Sequence, residues 1–88
     1  MISPESFKRL VGEWAKTCKV EIKEIHLRKM KTKWASCSSK GRLTFDRAIL
    51  QQSKTEREKI IVHELLHLKY PNHGKMFRAL LKAYTSDK

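Results

Sequence analysis

The sequence predicts an α+β domain, and three observations favour that class. Apolar residues recur at helical spacing near the start of the chain and again in its second half, and short alternating segments lie between them. A length of 88 residues suits one domain over residues 1–88. A hydrophobic share of 40% with a charged share of 33% is typical of a globular domain and excludes a disordered chain.

The first predicted element is a helix over residues 4–17. Ser3 is a favourable N-cap, and Pro4 stands at the first helical position, where its missing N–H leaves no bond unmade. One face of this helix is apolar and carries Phe7, Leu10, Val11, Trp14, Ala15 and Cys18.

Three short strands follow, and we expect them to form a small antiparallel sheet. Residues 20–27 alternate and then shift phase, which indicates a bulge or two partly covered faces. Residues 31–37 and 43–45 predict the other two strands, and residues 38–41 between them are typical of a turn. We expect Trp34 in the core, because large aromatic side chains dominate small cores.

The second half of the chain predicts two more helices. Ser53 and Thr55 both fit an N-cap with a glutamate three residues later, so the start of the first is ambiguous by two residues. Its apolar side chains point in nearly every direction, which predicts a helix buried at the centre of the fold. Pro71 ends it, and Asn72 can cap a final helix with the apolar face Phe77, Leu80, Leu81 and Tyr84.

The most informative segment of the predicted central helix runs from His63 to His67 and has the pattern HExxH. Histidines four residues apart lie on one face, so both imidazoles can reach one ion. Glu64 lies about 100° around the helix from His63, where it can reach a water without ligating the metal. This arrangement is typical of zinc hydrolases. The alternative is two surface histidines at a harmless spacing, and the otherwise apolar helix favours the metal site.

A catalytic zinc takes three protein ligands and keeps one position for water, so a third ligand is needed. His73 is one candidate, because Pro71 and Asn72 let the chain turn back and bring it into the first turn of the next helix. His26, in the strand region, is the other candidate. Three of the four histidines lie within eleven residues, which favours His73 over His26.

The charge is strongly positive. The chain has 20 lysines and arginines, 9 acidic residues and a formal net charge of +11. Such an excess attracts nucleic acid or acidic protein, although a solvated surface without a dedicated partner is the alternative. The basic residues are scattered, apart from a group that we name the basic cluster and that consists of Arg28, Lys29, Lys31 and Lys33.

Cysteine usage and the absence of apolar runs indicate the compartment. Cys18 and Cys37 form no CxxC pair, and we expect both to be reduced. No apolar run approaches the ~20 residues of a membrane span. The start of the chain has no basic region followed by an apolar stretch, so no secretion signal is expected. We therefore expect a cytoplasmic protein without membrane contact. For its partners we expect a protein or peptide substrate and no second copy of the chain.

Two segments resemble one known family. HELLHLKYPNHGKMF, residues 63–77, resembles the signature of the YgjP-like metallopeptidase domains, which are relatives of the SprT and WLM zincins. MKTKWASCS, residues 30–38, resembles the family's Arg-Trp-Gly-Ser-Cys segment, with Ala35 where the family usually has Gly. The resemblance implies a minimal zincin-like fold, in which a small sheet lies over the metal helix and a second helix supplies the third ligand.

The resemblance also implies the site residues and the cofactor, Zn²⁺. His63, His67 and His73 fall on the family's zinc positions, and Glu64 falls on its general base. An oxyanion stabiliser is still needed. The sequence does not choose among the candidates Tyr70, Tyr84, His26 and Lys75.

Two functions fit these observations. The first is a zinc-dependent endopeptidase acting on a protein or peptide. The second is a nucleic-acid-associated module that binds through the basic cluster and whose zinc site is structural or vestigial. Glu64 favours the enzyme, because a structural site needs no glutamate beside the first histidine and usually has four protein ligands. The resemblance allows both to hold, since SprT-like relatives cleave proteins bound to DNA.

Overall fold

Over residues 1–38 and 40–85, which the computed structural model describes, the chain forms three α-helices, a 3₁₀ helix and a three-stranded sheet. The expected α+β class is confirmed. In chain order the elements are α1 (Pro4–Cys18), β1 (Glu24–Arg28), β2 (Ala35–Cys37), β3 (Arg42–Asp46), the 3₁₀ helix (Arg47–Gln51), α2 (Lys54–His67) and α3 (Lys75–Thr85).

Helix α1 begins and ends where its sequence predicts, to within one residue. The Ser6 N–H donates to the Ser3 hydroxyl at 3.1 Å, which is the expected N-cap. Lys19 closes the helix in the left-handed region with φ 60°, and its N–H points to carbonyl groups of the last turn. The helix buries four residues of its apolar face, namely Phe7, Val11, Ala15 and Cys18.

The sheet is mixed, so the expectation of an antiparallel sheet is wrong for one strand pair. The strand order is β1-β3-β2, with β1 parallel to β3 and β2 antiparallel to β3. The connection over residues 29–34 carries the chain from β1 to the far side of β3. Because β3 lies between them, β1 and β2 do not pair as a hairpin. The chain crosses over between β1 and β2, and β1 consequently runs parallel to β3.

The strands β1 and β2 are also shorter than expected. Val20 donates its N–H to the carbonyl of Ala15, so it still belongs to the end of α1. Both Lys23 and Glu24 donate to the carbonyl of Gly41, at 2.8 and 3.3 Å, which accounts for the shifted alternation of the sequence. The expected turn before β3 is present, with the Gly41 N–H donating to the Ser38 carbonyl at 3.0 Å. Residue 39 of that turn lies outside the described residues.

Helix α2 is buried along one face, which corrects the expectation of burial all round. Ser53 is its N-cap, and its hydroxyl accepts from the Glu56 N–H at 3.2 Å. The helix packs against α1, β2 and α3 and buries Ile61, Val62, Leu65 and Leu66. Its other face is only partly covered and carries the two histidines and Glu64.

Helix α3 begins at Lys75 rather than directly after Asn72, because the first helical bond runs from the Arg78 N–H to the Gly74 carbonyl at 3.0 Å. It buries Phe77 against the core. The core joins all three α-helices, the 3₁₀ helix and β3. Within residues 1–38 and 40–85, no helix is long and apolar enough to span a membrane.

Candidate metal centre

Three histidines converge at the C-terminal end of α2. His63 and His67 lie one turn apart on the partly covered face of that helix, and His73 lies in the segment before α3. Each offers one ring nitrogen to a group whose atoms all lie within 4.8 Å of one another. His26 is not a member of this group. The structure therefore brings together the three histidines that the sequence favours as ligands.

The chain reverses between His67 and His73 through a tight turn. The Tyr70 N–H donates to the Leu66 carbonyl at 2.7 Å, and Pro71 follows and has no N–H with which to continue the helix. His73 thus lies ahead of α3 and not, as expected, in its first turn. The reversal brings Nε2 of His73 to 2.9 Å from Nε2 of His67.

Phe77 supports all three imidazoles. Its side chain is 2% exposed, and its ring centroid lies 5.3 Å from that of His63 and 4.8 Å from those of His67 and His73. The sequence assigned Phe77 only to the apolar face of the last helix. Its position at the end of the family signature, four residues after His73, is the signal that could have identified it as part of the site.

The geometry of the three histidines fits a divalent metal ion. Tetrahedral zinc with Zn–N distances near 2.0–2.1 Å separates its ligand nitrogens by about 3.4 Å. That separation lies between the 2.9 Å that joins Nε2 of His67 to Nε2 of His73 and the 4.8 Å within which all three ligand nitrogens lie. Small movements of the side chains would therefore complete the site. Three neutral imidazoles suit zinc and other divalent transition metals.

Glu64 lies beside the ligand group without belonging to it. Its carboxylate Oε2 is 3.2 Å from Nδ1 of His63, and the side chain is 14% exposed. Burial raises the pKa of the nearby Cys37 thiol, and the negative charge of Glu64 raises it further. Cys37 is therefore a neutral thiol at ordinary pH. Cys37 and Cys18 are both free, as expected.

A cavity of about 570 Å³ is lined by His63, Glu64 and further residues of α2 and α3. Trp34 forms part of its wall and is 43% exposed, so the expectation that this side chain lies in the core is wrong. The reason is that β2 begins only at Ala35, which leaves Trp34 ahead of the strand. The other lining residues are Ala35, Lys59, Ile60, Arg78, Leu81, Lys82 and Thr85.

The candidate oxyanion stabilisers lie in four different places. The Tyr84 hydroxyl donates to the Thr17 carbonyl of α1 at 3.5 Å, and Tyr70 is half-buried against the core. His26 is exposed on β1 with its Nε2 2.7 Å from Glu24, and a hydrogen bond from His26 lowers the pKa of the Glu24 carboxyl, with Arg42 lowering it further. Lys75 is exposed at the start of α3. Each of these assignments stays a prediction.

The basic cluster lies at the end of β1 and in the connection to β2. Its four side chains are exposed and line one surface groove of about 370 Å³, together with Ser36 and Thr44. The four cations therefore share one surface, separate from the cavity at Glu64.

Two solved structures are similar to this chain over most of its length. The metallopeptidase zymogen of Methanocaldococcus jannaschii jannalysin is 31% identical with a TM-score of 0.81, and the match covers 92% of this chain and 83% of that chain. The metallopeptidase zymogen of Pyrococcus abyssi abylysin is 25% identical with a TM-score of 0.76, and the match covers 92% of this chain and 81% of that chain. No curated protein matches the chain.

The family comparison agrees with the fold and with the resemblance of the two sequence segments. The model of the YgjP-like metallopeptidase domain matches residues 3–88, which is nearly the whole chain and includes every histidine of the candidate centre. The chain therefore belongs to the YgjP-like metallopeptidase domain family.

Proposed function

We propose that the protein is a zinc-dependent metallopeptidase that hydrolyses peptide bonds of a protein or peptide substrate. The observation that carries this proposal is the group of three histidine nitrogens within 4.8 Å of one another, with the Glu64 carboxylate beside them. Three protein ligands leave one coordination position for the reactants, as catalytic zinc sites do. The metallopeptidase family and the two metallopeptidase neighbours support the same reaction class.

In this proposal His63, His67 and His73 hold the zinc ion. When bound, zinc acts as a Lewis acid that polarises the scissile carbonyl and acidifies water. The Glu64 carboxylate accepts a proton from the attacking water and then delivers that proton to the nitrogen of the leaving amine. The water oxygen first bonds to the carbonyl carbon, which places a negative charge on the carbonyl oxygen, and the C–N bond breaks when that charged tetrahedral species collapses.

The oxyanion that develops on the carbonyl oxygen needs a hydrogen-bond donor. We propose the hydroxyl of Tyr70 or of Tyr84 for this role. Tyr70 is the first to examine, since the Tyr84 hydroxyl donates to Thr17. The residue that acts here is the one whose phenylalanine variant lowers kcat by about 10²-fold or more while zinc content stays constant.

The Glu64→Gln variant tests the central role. The amide keeps the size and polarity of the side chain but has no basic oxygen, so zinc content should stay at the wild-type level. Hydrolysis of an unfolded protein should fall by about 10²–10⁴-fold. Metal analysis and the appearance of cleavage products on long incubation measure the two quantities.

Glu13→Gln on α1 is a matched control for that experiment, because Glu13 is exposed and should affect neither quantity. Wild-type activity in the Glu64→Gln protein would mean that a contaminant or another mechanism produces the cleavage. A wild-type protein that binds zinc fully but cleaves no unfolded substrate would favour the structural or vestigial site.

The second candidate function is nucleic-acid binding, and the groove shared by the basic cluster supports it. Neutralised phosphates release counterions, so DNA binding should weaken steeply as salt rises. Replacement of Arg28, Lys29, Lys31 and Lys33 by alanine should flatten that salt dependence. Undetectable binding at low salt would leave the charge of +11 as a property of a solvated surface.

A further inference from the structure

The cavity beside Glu64 has an apolar wall built by three different elements. Trp34 and Ala35 contribute from the start of β2, Ile60 from α2 and Leu81 from α3. The volume of about 570 Å³ lies within the usual range for ligand sites. It accommodates one large side chain with the backbone on either side of it.

Three cations border this apolar wall. Lys59 lies one residue before Ile60 on α2, and Arg78 and Lys82 lie four residues apart on one face of α3. Within residues 1–38 and 40–85 none of the three forms a salt bridge. Among the described residues that line the cavity, Glu64 supplies the one carboxylate. The described lining of the cavity therefore carries a net positive charge.

The position of the cavity limits what it can bind. Because His63 and Glu64 both line this cavity, a peptide cleaved at the metal centre would place a neighbouring side chain in it. Consecutive Cα atoms are 3.8 Å apart, so that side chain belongs to a residue next to the scissile bond. A residue adjacent to it along the peptide would lie near the three cations, because they line the same cavity.

Building on the proposed peptidase function, we propose that this cavity selects substrates with a large apolar residue beside the scissile bond and an acidic residue next to it. The apolar wall buries the first side chain. Lys59, Arg78 and Lys82 attract the carboxylate of the second. An unstacked nucleotide base on Trp34 is the competing occupant, because the same cations would also attract its phosphate, and the oligonucleotide experiment below distinguishes the two.

Three matched peptides test the selectivity. Each has the same Gly-Ala-Ser background with one central pair, which is Phe-Glu, Ala-Glu or Phe-Lys. The Phe-Glu peptide should be cleaved beside the phenylalanine, as located by mass spectrometry. Its kcat/KM should exceed that of Ala-Glu by about tenfold or more, because the large side chain is buried. Phe-Lys should be slower by several-fold, because like charges then face each other.

A charge reversal on α3 tests whether the preference depends on the cations that line the cavity or only on the net charge of the protein. In the Arg78→Glu/Lys82→Glu double variant the preference should reverse, so that Phe-Lys is cleaved faster than Phe-Glu. The control is the double variant Lys8→Glu/Arg9→Glu on α1, which makes the same change in net charge at exposed residues outside the cavity. The control should retain the wild-type order. A reversal in both variants would mean that the net charge of the protein, and not the cations that line the cavity, determines the preference.

Equilibrium binding keeps this inference separate from the peptidase proposal. Fluorescein-labelled copies of the three peptides are titrated with the zinc-loaded Glu64→Gln protein, and anisotropy should give the same order of affinities without hydrolysis. If wild type cleaves nothing but this order is observed, the peptidase proposal fails and the binding preference stands.

Two results would overturn the selectivity itself. Equal affinity for the Phe-Glu and Ala-Glu peptides would mean that the apolar wall holds no substrate side chain. Displacement of the labelled Phe-Glu peptide from the Glu64→Gln protein by a single-stranded oligonucleotide, with the oligonucleotide itself binding more weakly to the Glu64→Gln/Trp34→Ala protein, would identify a nucleotide base as the occupant. If the oligonucleotide does not displace the peptide, the peptide assignment stands.

Discussion

Phe77 is the residue on which the geometry of the candidate metal centre depends. An imidazole can rotate about two side-chain bonds, and three of them must point at one ion for tight binding. The buried ring of Phe77 contacts all three and restricts those rotations. A residue that never touches the ion therefore orders its ligands.

Phe77→Leu tests this role, since it keeps an apolar side chain in the core but removes the flat ring. We expect zinc affinity to fall by about 10–100-fold, the range found when groups that support metal ligands are replaced. Competition with a chelating dye measures the affinity. Phe7→Leu is the control, because Phe7 is also buried but contacts Phe45 at 5.1 Å rather than the histidines. Equal losses in both variants would mean that Phe77 acts only through stability.

Single substitutions also test the assignment of His73 as the third metal ligand. His73→Ala should lose most of its zinc affinity, because the Nε2 of His73 lies 2.9 Å from that of His67. His26→Ala should keep the wild-type affinity, since His26 lies on β1 beside Glu24. Zinc bound per chain after dialysis distinguishes the two. A greater loss in His26→Ala would mean that the third ligand has been assigned to the wrong histidine.

At the scale of elements, Gly41 determines how β1 begins beside β3. It has a positive φ of 90°, and a Cβ there would lie 3.3 Å from the Lys23 nitrogen and 3.4 Å from the Glu21 carbonyl oxygen. Its own carbonyl accepts from two successive N–H groups at the start of β1. Glycine is suited to this position because it alone adopts positive φ without a steric penalty.

Gly41→Ala should therefore lower the free energy of unfolding, by about 1–3 kcal/mol, because alanine is strained at positive φ and its Cβ meets backbone atoms. Urea denaturation measures the change. Gly12→Ala is the opposite case, since Gly12 lies within α1 and a Cβ there meets nothing within 4 Å. That variant should be more stable by about 1 kcal/mol. A neutral Gly41→Ala would contradict the proposed strain.

Across the whole molecule, metal binding should be coupled to folding. The three histidines come from α2 and from the segment before α3, and they lie together only in the folded chain. A ligand present at 100 times its Kd contributes about 2.7 kcal/mol, and for a domain of this size that corresponds to a Tm increase of about 15 °C.

Removal of metal should accordingly lower Tm by that amount, and added zinc should restore it. Thermal unfolding followed by circular dichroism makes the comparison, with and without a chelator. The His67→Ala/His73→Ala double variant is the control and should have the same Tm under both conditions. An unchanged wild-type Tm, together with no zinc retained, would contradict a metal site.

The features that the sequence by itself determined are local ones. The caps at Ser3 and Ser53 mark the beginnings of α1 and α2, because the hydrogen bonds involved span only three residues. The HExxH spacing likewise puts two histidines on one face of a helix through backbone geometry alone. The adjacency of His73 in the chain was enough to favour it over His26, and the structure brings it to the other two.

Only the tertiary structure decided the features that depend on distant parts of the chain. The insertion of β3 between β1 and β2 made the sheet mixed, and no local pattern specifies which strand pairs with which. Trp34 became a wall of the cavity because β2 begins one residue later. Phe77 became the support of the histidines because α3 packs on α2. Each outcome depends on packing between elements, which hydrophobic periodicity and capping residues do not encode.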